Sequence, residues 1–309
     1  MSSKPLTDDA FWALVDAVSR TNPGKNHQVV QSFMAQKWDA SGFDAHGQTF
    51  LSLAVRNGLP ESVLQALLDC GALINQANQD DSRDTALIAT IKEPWLWQHY
   101  PDRIDPILAW LIAQGADVGQ VDAYGMSALF HAVALGRPEM VSKLLGWGAQ
   151  PDQQTPHGRT PLHHLGLEWL SSVGGSVGAW DVADEAGEGC ALTHAYDTAR
   201  YLRIMALLLD AGADINHQDH FGWTPLAMAI QFQATPLALA LIQAQSDVHK
   251  PLDCGLSPIH LAAIHRDEAV WQALLAAGAH PETPIAAPGM EPYLTGITAM
   301  QLRNQSEPG

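Results

Sequence analysis

The chain has 309 residues, 47% of them apolar, with 33 acidic against 16 basic side chains and a formal net charge of −17. That apolar content suffices for a continuous core and argues against intrinsic disorder, while an acidic surface repels phosphate backbones, which makes nucleic acid a poor partner and a basic protein surface a good one. The three cysteines, Cys70, Cys190 and Cys254, share no short spacing, which argues against a disulfide framework or a zinc site and for a reducing, cytoplasmic setting.

The first ten residues lack the apolar run of a secretory signal. The most apolar stretch, 225–242, is broken by Gln231, Gln233, Thr235 and Pro236 and is too short and too interrupted to span a bilayer. Residues 8–19 predict an amphipathic helix with Phe11, Leu14, Val15 and Val18 on one face and Asp8 as its cap. After Asn22-Pro23-Gly24, a second apolar stripe is made by Val29, Val30, Phe33, Met34 and Trp38. This pair, residues 1–40, has no copy of the motif that follows and reads as a helical cap, because the end unit of a stack has one face in water.

From Asp44 onward one cassette recurs, and its clearest copy is Ala211–Ile230. A helix ends at Ala211 with Gly212 as its left-handed cap, and polar residues run to the turn glycine Gly222. Thr224 is then an N-cap, Pro225 takes the first helical position, and a helix opens with Leu226, Met228, Ala229 and Ile230. The turn glycines Gly125 and Gly158 lie 33 residues apart, as do Gly222 and Gly255, the helix-ending Gly115 and Gly148, and Gln245 and Gly278. From Gly158 to Gly222 the gap is 64, one period plus 31 extra residues. A fixed period of this size marks a stacked repeat protein.

Six units start near Asp44, Asp80, Asp122, Thr155, Asp219 and Leu252, spanning 41–282. In the first, Thr49 is the N-cap of the inner helix, and Leu64, Leu67 and Leu68 pack inward from the outer one. In the second, Arg83 stands where the turn glycine belongs, and an insertion at about 92–104, with Trp95, Trp97, His99 and Tyr100, separates the helices. The third has Ser127-Ala128-Leu129-Phe130 at its helix start. The fourth holds an insertion at about 168–198, in which Gly174, Gly175 and Gly178 precede Asp181, Asp184, Glu185 and Glu188; it reads as a flexible acidic loop. Ile204, Leu207 and Leu208 then resume the outer helix. Burial of its tryptophans should fold the first insertion against the stack, whereas the acidic one offers little to bury. After Gly278 a proline-rich passage leads to Gly296–Met300, so 283–309 reads as a C-terminal half-repeat cap and tail.

These units resemble the ankyrin repeat, whose pattern runs D-x-x-G-x-T-P-L-H-x-A-A and closes on L-L-x-x-G-A-D-x-N. The likeness is carried by Gly158-Arg159-Thr160-Pro161-Leu162-His163, by Gly222-Trp223-Thr224-Pro225-Leu226, by Gly255-Leu256-Ser257-Pro258-Ile259-His260 and by Leu208-Leu209-Asp210-Ala211-Gly212-Ala213-Asp214-Ile215-Asn216. The resemblance implies an all-α solenoid of helix-turn-helix units with short β-hairpin fingers. It also implies a non-catalytic module that binds another protein through a concave face of fingers and inner helices, most of all in repeats three to five. His163 and His260 then become residues whose side chains bond the neighbouring finger backbone. An acidic binder of this kind suits an inhibitor or an immunity protein that neutralises a toxin or effector, and a composition with few lysines but many Ala, Gln and Trp suits a bacterial source.

On such a surface the positions flanking the turn glycines are exposed. They hold Tyr124 and Met126, then His157 and Arg159, then His220, Phe221 and Trp223, with Gln231 and Phe232 at the end of the fifth inner helix. Interface hot spots concentrate in large aromatic residues and arginine, so Tyr124, Met126, His157, Arg159, His220, Phe221, Trp223 and Phe232 are the candidate partner-binding residues. The matching positions of repeats one, two and six, such as Ala45, Ser82 and Cys254, are blander.

No catalytic or metal-binding residues and no cofactor are assigned. His163 and His164 are helix neighbours about 100° apart at ~3.6 residues per turn and cannot chelate together, and His217 and His220 flank Asp219 without a third ligand. Gly174–Gly178 lacks the strand, helix start and lysine of a phosphate loop, and nothing near the acidic run would hold a substrate. The alternative is an enzyme or metal-binding protein that uses the two insertions as an active-site lid. Neither membrane nor nucleic acid is expected as a partner, and the free chain should be a monomer.

Overall fold

The computed structural model describes residues 3–20, 26–165, 198–285 and 296–304. The chain divides into two compact units, residues 1–131 with 146–149 and residues 132–145 with 150–309. The plan is that of an all-α ankyrin-type solenoid. Each finger is less a hairpin of strands than a turn, closed in places by a single antiparallel bridge such as Phe43–Thr49, Val121–Ser127 or Pro284–Thr298.

In the first unit, the N-terminal helices Asp8–Arg20 and Asn26–Met34 pack together, and a short parallel pair joins Lys4–Pro5 to Trp38–Asp39. Phe11, fully buried, lies 5.4 Å from the ring of Phe50 and so ties the N-terminal helix to the inner helix of repeat one. The cap expected at Asp8 is instead Thr7, whose Oγ1 accepts the Ala10 N–H at 3.4 Å. Asp8 is the first helical residue, and its Oδ2 accepts the Ala45 N–H of the first finger at 3.1 Å.

The inner helix of repeat one, Phe50–Arg56, is too short to persist alone, and it is held by burial of every residue from Phe50 to Val55. Each large side chain removed from water there contributes about 1.5–3 kcal/mol. Thr49 caps it as expected, accepting the Ser52 N–H at 3.1 Å. In the outer helix Glu61–Asp69, Leu64 and Leu67 are fully buried, but the third inward place belongs to Val63; Leu68 is half-buried.

Repeat two keeps its turn without a glycine, because Arg83 itself adopts φ 51°. Its insertion is helical over Pro94–His99, and the outer helix already begins at Pro101, so Ile104 is a buried outer-helix residue and the interruption is shorter than the sequence suggests. Leu96 is fully buried and anchors it, while half-buried Trp97 donates its Nε1–H to Ile91 O at 3.0 Å.

In the second unit, Thr224 accepts the Ala227 N–H at 3.1 Å and Pro225 opens the inner helix Pro225–Gln231, as the cassette requires. The outer helix of repeat four, Thr198–Asp210, buries Ile204, Met205 and Leu208, with Leu207 half-buried. The remainder of the 168–198 insertion lies outside the described residues. At the C-terminal end, Ala299–Asn304 packs on the inner helix Pro258–His265, Ile285 N–H donates to Ile297 O at 2.9 Å, and the Arg303 guanidinium lies 4.7 Å from the Trp271 ring.

Successive fingers are joined through their backbones. In the first unit Gln79 N–H reaches Gly47 O at 2.7 Å and Ala123 N–H reaches Ser82 O at 2.9 Å. In the second, His220 N–H reaches His157 O at 2.9 Å and Asp253 N–H reaches Phe221 O at 3.3 Å. This stacking explains the turn glycines. Gly222 has φ +78°, and a Cβ there would also sit 2.6 Å from Asp253 N.

Candidate functional site

Finger five is organised by one buried carboxylate. Asp219 Oδ1 accepts the N–H groups of Phe221 and Trp223, each at 2.9 Å, which fixes the turn. Its Oδ2 meets Arg159 Nε at 3.2 Å, so the guanidinium predicted to face a partner is held on the base of the next finger and is 20% exposed.

His163 supports the same finger from below. Its Nδ1 accepts the N–H of Thr160 at 3.1 Å and the Thr160 hydroxyl at 2.9 Å, while Nε2–H donates to Trp223 O at 3.0 Å. These partners select the neutral Nε2–H tautomer, and a proton on Nδ1 would break two bonds. Burial pushes its pKa down to about 4. His260 repeats the arrangement, with Nδ1 accepting from Ser257 and Nε2–H donating to Thr283 O at 3.0 Å, and burial lowers its pKa as well. Both histidines therefore do what the ankyrin resemblance implied.

With the backbone so held, Phe221 is left 54% exposed, beside exposed His220. Trp223 and Phe232 are half-buried, Phe232 as the cap residue of the fifth inner helix. His157, half-buried, gives its carbonyl to His220 N–H. The second unit thus brings His157, Arg159, His220, Phe221 and Trp223 together through bonds between fingers four and five.

Tyr124, 39% exposed, and half-buried Met126 stand on finger three, in the first unit. Asp122 Oδ1 accepts both of their N–H groups at 2.9 Å, and its Oδ2 takes His131 Nε2 at 2.9 Å with Lys92 Nζ at 3.8 Å. Burial pushes the Asp122 pKa up, but the bonds to His131 and to the two N–H groups outweigh it and the net shift is downward. Asp84, whose carboxylate lies 3.0 Å from Lys92 Nζ, is shifted upward because burial prevails there.

Among the described residues, five exposed large apolar residues, Trp12, Leu73, Val121, Leu135 and Ile264, were not singled out from the sequence, and two of them carried a signal. Ile264, 48% exposed, lies one 33-residue period after Gln231, so the period itself would have found it. Trp12, 46% exposed, is off the Phe11–Leu14–Val18 stripe, and that offset was the available signal. Among the described residues no three His, Cys, Asp or Glu side chains converge as metal ligands, and no helix is long and apolar enough to cross a membrane.

Residues 102–168 and 192–284 match the family described as ankyrin repeats in three copies, and residues 46–76 match the single ankyrin repeat. Over 160 residues the chain is 33% identical to the nuclear factor NF-kappa-B p105 subunit of Gallus gallus. Over 180 residues it is 29% identical to the transient receptor potential cation channel subfamily A member 1 of Homo sapiens, and over 175 residues 27% identical to the human neurogenic locus notch homolog protein 2. These alignments cover 50%, 55% and 56% of this chain but only 16%, 16% and 6% of the relatives.

Proposed function

The chain belongs to the ankyrin-repeat family, whose repeats are protein–protein interaction modules, and on that premise we propose that it binds a basic protein partner through its finger tips. The observation that carries this reading is Phe221: a large apolar ring, 54% exposed, on a turn fixed by Asp219, Arg159 and His163. An anchor held in its bound geometry loses little entropy on association. Trp223, Phe232 and His220 extend the surface, and His157 and Arg159 complete it from finger four; in the first unit, Tyr124 and Met126 of finger three are candidate contacts in their own right.

The net charge of −17 supports a basic partner, which it would steer during diffusion. The role we infer is that of an inhibitor of the immunity-protein kind, acting by occlusion as a monomer in a reducing cytoplasm; the free thiols of Cys70 and Cys254 suit that setting. The test is affinity capture from lysate of the source organism with the wild-type chain and a Phe221→Ala/Trp223→Ala variant, read by quantitative mass spectrometry. A basic protein retained by the wild type and depleted at least tenfold with the variant is expected; equal retention overturns the reading.

A further inference from the structure

We propose that the first unit carries a separate pocket for an arginine side chain of a basic peptide, built from Trp12 and the carboxylates of Asp8 and Asp44. An open cleft of about 430 Å³ is lined by these three residues, by His46 and Gln48 of the first finger, by Leu53 of the first inner helix and its C-cap Asn57, and by the Arg56–Glu93 pair. That volume lies within the ~300–1,000 Å³ of small-molecule pockets and easily takes one long side chain.

The case rests on a comparison between fingers. Asp44, Asp122 and Asp219 each use Oδ1 on two N–H groups of their own turn. In Asp122 the second oxygen meets His131 and Lys92, and in Asp219 it meets Arg159. Asp44 lines the cleft, and among the described residues no cation lies within 4 Å of its carboxylate. The place that His131 holds relative to Ser127 is taken, relative to Thr49, by the apolar Leu53. The repeat thus presents a carboxylate oxygen shaped for a cation that the described residues do not supply.

The surroundings choose the cation. Asp8 uses Oδ2 on Ala45 N–H, leaving its other oxygen available beside the cleft. Trp12, 46% exposed and held edge-on to Phe11 with ring centroids 5.4 Å apart, offers an aromatic wall. Arg56 is already engaged, with Nε 2.6 Å from Glu93 Oε2 and Nη1 3.3 Å from Gln48 Oε1. Three carboxylates against one guanidinium leave the lining at a net charge of −2. A planar guanidinium can stack on an indole while its N–H groups bridge carboxylates, which a compact ammonium cannot do as well. The pocket uses none of the residues assigned to finger five, so it stands or falls independently of the proposed partner surface.

The test is a titration of the isotope-labelled full chain with acetyl-Gly-Ala-Arg-Ala-Gly-amide, read by amide and indole NMR shifts, beside the same peptide with citrulline for arginine. Saturable shifts at the Trp12 indole and at the Ala45 and Gln48 amides are expected, with citrulline binding at least tenfold weaker. Trp12→Ala and Asp44→Asn should each weaken the arginine peptide at least fivefold, and Phe221→Ala/Trp223→Ala should leave it unchanged. Trp12 is largely on the surface, so its variant guards against a finger loosened by the Asp44 change. Equal binding of the citrulline peptide, equal binding by the Trp12→Ala variant, or shifts confined to other residues would overturn the proposal.

Discussion

Fingers one and five are built to the same plan and offer different surfaces. Both place an aspartate oxygen on two turn N–H groups, both turn at a glycine with φ 78°, and both start their inner helix on a threonine cap. Finger five then closes its charge internally through Arg159, and at its tip it exposes Phe221. Among the described residues finger one offers Asp44 no cation; it carries Ala45 and His46 at its tip and opens onto the cleft beside Trp12. The residues that the fold consumes are shared, and the two fingers differ in the positions it does not use. One end of that contrast is apolar anchoring, the other is charge.

Asp219→Ala should break this contrast most severely, because it strips two turn N–H groups of their acceptor and leaves the largely buried Arg159 unpaired. A loss of about 3 kcal/mol in urea unfolding is expected, against about 1 kcal/mol for Asp44→Ala, which strands no cation. Gly222→Ala should cost about 2–3 kcal/mol, since left-handed strain adds to a Cβ 2.6 Å from Asp253 N; Gly47→Ala, whose Cβ would be 3.0 Å from Asp80 N, should cost less.

Acid should distinguish the inner helices. His163, with its pKa held down to about 4 by burial, binds its proton in the unfolded chain near pH 6.5 but not in the folded one. Its contribution is therefore fully present above pH 6.5 and is lost as pH falls toward 4, by on the order of 2 kcal/mol. His260 acts in the same direction, while repeat one has Ser52 at this place and no such dependence. Unfolding free energies at pH 7 and pH 4.5 for wild type and His163→Gln check this; the variant should give the flatter curve. The smallest effect concerns steering: the on-rate for the captured basic partner should fall several-fold from low to physiological salt, as stopped-flow mixing would show.

Much of this was legible because repeat physics is local. The 33-residue spacing, Thr49, Thr224, Pro225 and the turn glycines each announce a backbone need within a few residues of themselves. What stayed hidden depends on neighbours far away in the chain. Arg159 and Asp219 are 60 residues apart, with an insertion between them, so nothing local marks the guanidinium as engaged. The shift of the N-terminal cap from Asp8 to Thr7 is of the same kind, because Asp8 is drawn to Ala45, 37 residues on. Val63 displacing Leu68 from the inward face is subtler: both fit a helical stripe, and only the rotation of the helix on its neighbours chooses between them.

The most direct test of the central claim is to measure, for one variant, affinity and stability together. Phe221→Ala should weaken the captured basic partner by about 2 kcal/mol, roughly thirtyfold in Kd, while changing unfolding free energy by less than about 0.5 kcal/mol. An unchanged Kd, or a loss of stability as large as the loss of affinity, would contradict it and would place Phe221 among the residues the fold consumes.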